Sequence, residues 1–343
     1  MVSGMLARVV ATVAAVLIAA HAQAQSAADF YKARSLELYV GYSVGGGYDL
    51  YARVLARHIG RHIPGNPAVV VKNMEGAGSL RLANWLYRIA PRDGSVIGTI
   101  GRGTGFDPLL GVPAAQFDAT GFAWIGSGNH EVSVCVAYAG NTDVTTFADL
   151  RAREMTVGGT GASADTDQFP RVVNGVLGTR MKIVSGYPGG NDIVLAMERG
   201  EVQGRCGWSW SSVKSTHGAM ITEGKLHVLL QLALHKHPEL PDVPLVVDLA
   251  TTDEQRQILT LIFARQVMGR PFLAPPGVPA ERAAALREAF MATMTDPDFV
   301  ADAERTQLEV NPVAGEDVQK LVAEIYRTPP EVAKRAAQLL AVR

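Results

Sequence analysis

The strongest constraint on the fold is a unit near the start of the chain in which an apolar strand, a glycine loop and a helix follow one another. The strand spans residues 36–40, three glycines occupy 45–47, and an amphipathic helix begins near 48–49. Glycine lets the backbone turn tightly and approach a ligand closely. The free N–H groups and positive dipole end of the helix favour a carboxylate or phosphate. The unit therefore predicts an anion site.

The same pattern recurs along the chain, so the sequence reads as alternating strands and helices. Residues 68–73 form a β-branched run, followed by a glycine turn and a helix capped by Ser79. Residues 96–100 form a further strand that opens into the glycine loop 101–105. Ligands of open α/β sheets bind at the carboxyl ends of parallel strands. Three successive strands that each end in a glycine-bearing loop predict a binding site built by loops.

Later elements and the size of the chain predict a second lobe. Residues 155–159 and 182–186 read as strands, and each leads through a loop of small polar or glycine residues into a helix. About 320 of the 343 residues remain after removal of a predicted export signal, which is more than one core usually organises. We expect residues 25–128 and 234–343 to form a discontinuous first lobe, and residues 129–233 to form the second.

The N-terminus predicts export. After Arg8 comes an apolar run, residues 9–20, that is too short to span a bilayer, and residues 22–24, Ala-Gln-Ala, resemble a small-residue cleavage site. The alternative, a retained membrane anchor, would need about 20 apolar residues. Residues 1–24 are therefore interpreted as a cleavable signal peptide, and export from a Gram-negative cell would place the protein in the periplasm.

Composition and cysteine usage exclude several functions. The formal net charge is −1, so the chain lacks the basic character that nucleic-acid binding needs, and no nucleic-acid partner is expected. Cys135 and Cys206 are the only cysteines. A disulfide between them and two separate buried thiols are both open, because sequence does not fix their spatial separation. The eight histidines show no paired spacing with them, so neither a metal nor a cofactor is expected.

Enzyme motifs with glycine loops are the main alternative to a binding protein. Neither residues 45–47 nor residues 101–105 have the Gly-x-Gly-x-x-Gly spacing of a dinucleotide-binding loop. The Gly-Lys-Ser/Thr ending of a P-loop is also absent. His58, His62 and His130 could serve acid–base chemistry, but nothing in the sequence ties them to a nucleophile.

Several loop motifs together resemble one family. Residues 39–49, Tyr-Val-Gly-Tyr-Ser-Val-Gly-Gly-Gly-Tyr-Asp, are similar to the opening glycine loop of the tripartite tricarboxylate transporter solute receptors, also called the Bug family. Further stretches match in the family's order and cover nearly the whole mature chain. They are residues 73–79, 90–94, 158–161, 186–190, 238–244 and 274–279.

The resemblance implies an α/β, two-lobed type II periplasmic solute-binding fold with a central ligand cleft and two interlobe crossovers, expected near residues 125–134 and 231–235. It implies a receptor that captures a small organic carboxylate and delivers it to small and large integral-membrane subunits. An α/β enzyme acting on a small organic acid and a ligand-sensing partner protein are the alternatives. The chain departs from the family pattern at residues 42–44, 187–189 and 205–208, which leaves the acid open.

The expected site combines backbone amides of the first lobe with hydroxyl groups of the second. Arg102 is a candidate for a bidentate pair with a carboxylate, the alternative being a solvated surface arginine. Trp208 is a candidate for stacking on the ligand, the alternative being core packing. No catalytic residue or metal ligand is predicted. The predicted ligand-binding residues are Tyr42, Ser43, Gly45, Gly46, Gly47, Ala77, Gly78, Ser79, Arg102, Thr104, Thr160, Ala162, Ser163, Tyr187, Gly189 and Trp208.

Overall fold

The computed structural model describes residues 26–341, so the predicted signal peptide, residues 1–24, lies outside the described residues. Two β-sheets, each flanked by helices, organise the described chain. The strands are β1 (Leu36–Val40), β2 (Val69–Asn73), β3 (Val96–Thr99), β4 (Ala123–Ser127), β5 (Ser133–Tyr138), β6 (Glu154–Gly159), β7 (Arg180–Ser185), β8 (Gly204–Ser209), β9 (Leu226–Leu232), β10 (Pro271–Ala274) and β11 (Val313–Ala314). The helices are α1 (Ala27–Lys32), α2 (Gly47–Ile59), α3 (Leu80–Arg88), α4 (Phe147–Ala152), α5 (Asp165–Leu177), α6 (Gly190–Glu198), α7 (Trp210–Thr222), α8 (Asp253–Phe263), α9 (Ala280–Met294), α10 (Pro297–Arg305), α11 (Gly315–Ile325) and α12 (Pro330–Leu340).

The first sheet has the order β11-β4-β10-β3-β1-β2. Strand β1 lies between β3 and the edge strand β2 and pairs in parallel with both. The inward side chains of β1, namely Leu36, Leu38 and Val40, are fully buried. This arrangement confirms the prediction of three parallel strands whose carboxyl ends, with their glycine loops, lie along one edge of the sheet.

The second sheet has the order β7-β6-β8-β5-β9. Strand β6 is parallel to β7 and β8, whereas β5 is antiparallel to β8 and β9. The chain passes from the first sheet to the second between β4 and β5, and β9 is the last strand of the second sheet. The first crossover therefore lies within residues 125–134, as expected. After β9 the chain still pairs with the second sheet at Leu245 and rejoins the first sheet only at β10, so the position of the second crossover, expected near 231–235, stays a prediction.

The C-terminal helices contact the second sheet's helical layer as well as the first lobe. Leu339 of α12 packs over Gly175 of α5, and Gln255 of α8 donates a hydrogen bond to the Val176 carbonyl at 3.0 Å. Part of the segment after residue 233 is thus packed on the second lobe. The lobe boundaries given above stay a prediction.

Cys135 of β5 and Cys206 of β8 form a disulfide. The two strands are antiparallel neighbours, and these residues are paired in register and fully buried. The sequence left open a disulfide or two separate buried thiols, and the structure contains the disulfide. It ties together the centre of the sheet that carries one wall of the cleft.

Two elements near the cleft were not predicted, α7 and β10. Helix α7 is rich in serine and threonine, so the hydrophobic periodicity that would predict a helix is weak. Its backbone is also non-helical at His217. Strand β10 has only four residues and begins with Pro271. Helix α3 ends at Arg88, and the next residue, Ile89, is 72% exposed. Within residues 26–341, no helix is long and apolar enough to cross a membrane.

Candidate functional site

A cavity lies between the two lobes, where the loops that follow the strands meet. It has a volume of about 50 Å³ and is lined by residues of both lobes. The first lobe contributes Tyr42, Gly46, Gly47, Tyr48 and Arg102, and the second contributes residues of β8, α7 and the loops after β6 and β7. Ligands of open α/β sheets bind in this position. The cavity is therefore the candidate binding site.

The first glycine loop is held in shape by Asp49 in the first turn of α2. Its carboxylate accepts a hydrogen bond from the Gly45 N–H at 2.8 Å and pairs with Arg53 at 2.8 Å. The Asp49 side chain is buried outside the cavity lining. Asp49 thus fixes the loop so that Gly46 and Gly47 face the cleft, and it is not itself a ligand contact.

Arg102 lines the cavity, but its charge is already paired. Its Nε lies 2.8 Å from the Asp165 carboxylate, its Nη1 donates to Gln266 at 2.7 Å, and its Nη2 donates to Ser209. The residue is only 2% exposed, so the alternative of a solvated surface arginine is wrong. The predicted bidentate pair with a ligand is not favoured either, because a ligand carboxylate would have to compete with Asp165.

Arg205 is the cavity-lining cation that forms no ion pair with any residue in the described chain. Its Nη1 donates to the Gly190 carbonyl at 3.2 Å, and its Nε is buried without a hydrogen-bond partner. Burial, reinforced by the positive charges of Arg270 and Arg102, lowers the pKa of Arg205 to about 9, so the group is still charged at neutral pH. A buried cation without a partner is costly, and a bound carboxylate would offset that cost.

Trp208 lines the cavity and also packs against Arg205. The Arg205 guanidinium lies 4.6 Å from the centre of the indole ring, within cation–π distance. The ring of His217 meets the indole edge-on at 5.3 Å. Burial, and then the charge of Arg205, lower the pKa of His217 to about 4. The imidazole is therefore neutral at pH 7 and adds no charge to the site.

The second glycine loop connects the lobes instead of facing the cavity. The Gly78 N–H donates to the Thr160 carbonyl at 3.0 Å. A Cβ on Gly161 would lie 2.7 Å from the Ala77 carbonyl carbon, so the two loops touch at the level of the backbone. The lobes are thus closed on each other. In this arrangement the Gly78 amide, predicted to bind a carboxylate, is occupied by the opposite lobe.

The sequence-based site overlaps the cavity only in part. Six of the predicted ligand-binding residues line it: Tyr42, Gly46, Gly47, Arg102, Thr160 and Trp208. The other predicted residues lie beside it, in contacts between the lobes or within one lobe: Ser43, Gly45, Ala77, Gly78, Ser79, Thr104, Ala162, Ser163, Tyr187 and Gly189. The lining residues that the sequence did not single out are Tyr48, Ala164, Asp165, Thr166, Gly190, Asn191, Arg205, Gly207, Ser209, Ser212 and Thr216.

Ser43 lies at the centre of residues 41–45, Gly-Tyr-Ser-Val-Gly, which have the spacing of a hydrolase nucleophile motif. Its hydroxyl donates to Asp192 of the opposite lobe at 3.0 Å. Among the described residues, no histidine forms a hydrogen bond with it. Ser43 therefore lacks the general base that a serine nucleophile requires, and its contact links the two lobes.

Asp107 is a buried carboxyl at the boundary between the lobes. It accepts a hydrogen bond from Gln168 Nε2 at 2.9 Å. Burial raises the pKa of the Asp107 carboxyl to about 7, although neighbouring Ser163, Arg265 and Gln168 act in the opposite direction. The group thus changes charge near neutral pH, close to Arg265 behind the cavity wall.

We expect Asp107→Asn to change how stability depends on pH. With a pKa of about 7 in the folded protein and an ordinary value of 3.8, native Asp107 holds a proton that the unfolded chain releases, so its contribution to stability falls as pH rises from about 4 to 7. The asparagine variant does not undergo this loss of stability, because its side chain does not ionise. Relative to the native protein it should gain up to about 4 kcal/mol between pH 4 and pH 8, measured by urea unfolding.

Asp143→Asn, a change at an exposed aspartate, is the matched control and should follow the native pH dependence. An Asp107→Asn curve parallel to the native one across this range would show that Asp107 is ionised throughout.

Solved structures share this architecture, whereas no family model and no curated protein sequence matches the chain. The periplasmic binding protein BugD aligns with a TM-score of 0.70 at 21% identity, over 88% of this chain and 97% of that one. MatC from Rhodopseudomonas palustris with bound malate aligns with a TM-score of 0.67 at 18% identity, over 90% of this chain and 99% of that one. An R. palustris protein with adipate aligns with a TM-score of 0.68 at 17% identity, over 88% of this chain and 97% of that one. The chain therefore has the two-lobed fold of these periplasmic binding proteins.

Proposed function

We propose, from the two-lobed fold and the charge of its cleft, that the protein is an extracytoplasmic solute receptor that captures a small organic carboxylate. In this role it returns the acid unchanged and is not an enzyme. The similar structures with malate and adipate support the class of ligand, since both are small organic acids.

The observation that carries the proposal is the guanidinium of Arg205, which lies in a cleft between two lobes and forms no ion pair within residues 26–341. Arginine presents a planar set of donors that matches a carboxylate, and the resulting bonds are strengthened by charge. The uncapped start of α2, at Gly46 and Gly47, faces the same cavity from the opposite lobe. A carboxylate held there would touch both lobes and favour their closure.

The remaining elements of the function are proposed on the same basis. The signal peptide, residues 1–24, would be cleaved on export, and the mature protein would act in the periplasm. It would pass its ligand to small and large integral-membrane subunits of a tripartite tricarboxylate-type transporter. The first lobe would comprise residues 25–128 and 234–343, and the second residues 129–233, hinged at the two crossovers.

A thermal-shift screen of organic acids tests the proposal. A ligand at 100 times its Kd adds about 2.7 kcal/mol to stability, which in a protein of this size raises Tm by roughly 5 °C. We expect one class of small carboxylate to give such a shift, and NMR of the mixture to show the acid unchanged. Small-angle scattering should show a smaller radius of gyration with the acid than without it.

Three results would contradict the receptor function. They are a response to nucleotides alone, consumption of the added acid, and a radius of gyration that does not change at saturation. Stabilisation by no acid, together with a stable complex with another protein, would instead favour the ligand-sensing partner.

A further inference from the structure

The charges around the cavity fix how many negative charges a ligand can bring. Three charged residues line the cavity: Arg102, Asp165 and Arg205. Arg102 and Asp165 form an ion pair at 2.8 Å and cancel. The lining as a whole therefore carries one unbalanced positive charge, on Arg205.

A second group of charges behind the lining is balanced. Arg270 pairs with Glu131 at 3.2 Å. Arg265 lies 3.5 Å from the Asp165 carboxylate and close to Asp107, whose charge acts on it. With Asp107 ionised, this group contributes no net charge, so the buried cluster retains the single excess of the lining.

The helix starts that face the cleft offer little further positive potential. Asp49 lies in the first turn of α2, and Asp192 lies in the first turn of α6. An acidic side chain in the first turn offsets the positive end of the helix dipole. The Asp49 carboxylate also accepts the hydrogen bond of the Gly45 N–H, so this amide is not free to bind a ligand. A second ligand carboxylate would therefore meet neither an unpaired cation nor an uncompensated helix end.

The polar part of the remaining cavity wall is uncharged, and the rest of the wall is formed by Trp208, Ala164 and glycines. Hydroxyl groups from the second lobe line it, together with one amide side chain and the phenol of Tyr42: Thr160, Thr166, Ser209, Ser212, Thr216 and Asn191. Such groups donate and accept hydrogen bonds with hydroxyl or amide substituents but cannot neutralise a charge. Burial of an ionised group without a counter-charge is strongly unfavourable.

We propose that the receptor selects acids with a single carboxylate and a neutral polar remainder, in contrast to the dicarboxylates malate and adipate found with structurally similar proteins. The carboxylate binds Arg205 and the start of α2 at Gly46 and Gly47, and the remainder of the ligand lies against the hydroxyl groups of the second lobe. This inference rests on the proposed receptor function and adds its ligand class.

The test compares acids of equal size that differ by one charge. The probes are succinate against succinamate and adipate against its monoamide, adipamate, together with lactate and glycerate. Titration calorimetry uses the mature protein at pH 8, where both carboxyl groups of the diacids and Asp107 are ionised. The monoanion of each pair should bind at least about tenfold more tightly, a difference of about 1.4 kcal/mol.

Asp107→Asn provides a charge control outside the cavity lining. At pH 8 it removes one negative charge from the group behind the wall, so the cluster gains a second excess positive charge. The preference for the monoanion should fall roughly tenfold in this variant, because the second excess positive charge offsets part of the cost of burying a second negative charge on the ligand. The substitution is expected to stabilise the fold at this pH, so loss of folding does not obscure the result.

The outcomes separate the ligand class from the receptor function. If a diacid binds as tightly as its monoamide or more tightly, the single-charge inference is overturned while the receptor function stands. If no carboxylate of either kind binds, both are overturned. A preference that is the same in native protein and in Asp107→Asn would also count against the charge argument.

Discussion

Arg205→Gln should lower the affinity for the captured acid by at least about 100-fold. Hydrogen bonds to charged groups contribute about 1.5–3 kcal/mol each, and a bidentate pair supplies two of them. The Arg205 Nε has no hydrogen-bond partner in the described chain, so the ligand does not have to displace one. Glutamine keeps a polar side chain of moderate length but removes the charge. Titration calorimetry with the acid identified by the thermal-shift screen measures the change.

The same variant should not lose stability when no ligand is present. Removal of an unpaired buried cation relieves a desolvation cost, so the ligand-free Tm should be equal to the native value or higher. This combination distinguishes a binding residue from a structural one. Arg199→Gln, at an exposed arginine of the same lobe, is the control and should change neither quantity. Retention of native affinity by Arg205→Gln would remove the main support for the proposed site.

Gly78→Ala should prevent the lobes from closing. Gly78 has φ +68°, and a Cβ there would lie 2.5 Å from the Ala164 backbone nitrogen of the opposite lobe. A backbone atom cannot move aside as a flexible side chain can, so the lobes would have to separate. The cavity would then lose contact with one wall. We expect the affinity for the acid to fall more than about tenfold, since the closed state supplies contacts from both lobes.

Gly178→Ala is the matched control for backbone strain. Gly178 has nearly the same conformation, with φ +72°, but a Cβ there would meet nothing within 4 Å. Both variants should lose about 1 kcal/mol of stability, because alanine disfavours positive φ. Only Gly78→Ala should lose affinity and keep a large radius of gyration in scattering at saturating ligand. Equal affinities in the two variants would show that the contact between Gly78 and Ala164 is not required for binding.

The positions of the strands and most helices could be predicted because they depend on local sequence. Apolar runs such as residues 36–40 and 96–100 became β1 and β3, and the helix expected to begin near residues 48–49 begins at Gly47 as α2. Glycine loops follow these strands for a local reason, since tight turns need residues without a side chain. Helix α7 escaped prediction because it is stabilised by packing between the lobes, while its own serine and threonine residues disfavour helix.

The binding site was harder to predict than the fold, as the two arginines of the cleft show. Arg102 follows a glycine loop and Arg205 lies in the apolar strand β8, so loop position favoured Arg102 as the ligand contact. In the structure Arg102 is paired with Asp165, 63 positions away in sequence, whereas Arg205 has no acidic partner in the described residues. The sequence feature that pointed to Arg205 is an arginine inside a buried strand, because charged residues are seldom buried without a partner.

The sequence alone determined that this chain forms parallel strands with glycine loops at their carboxyl ends, because strand propensity and turn chemistry act over a few neighbouring residues. It also determined that no strong net charge is available for nucleic acid. Only the tertiary structure decided which loops meet across the cleft, that Cys135 reaches Cys206, and which cation is left without a partner. Charge compensation depends on distances between residues far apart in sequence, and those distances are set by the packing of the two lobes.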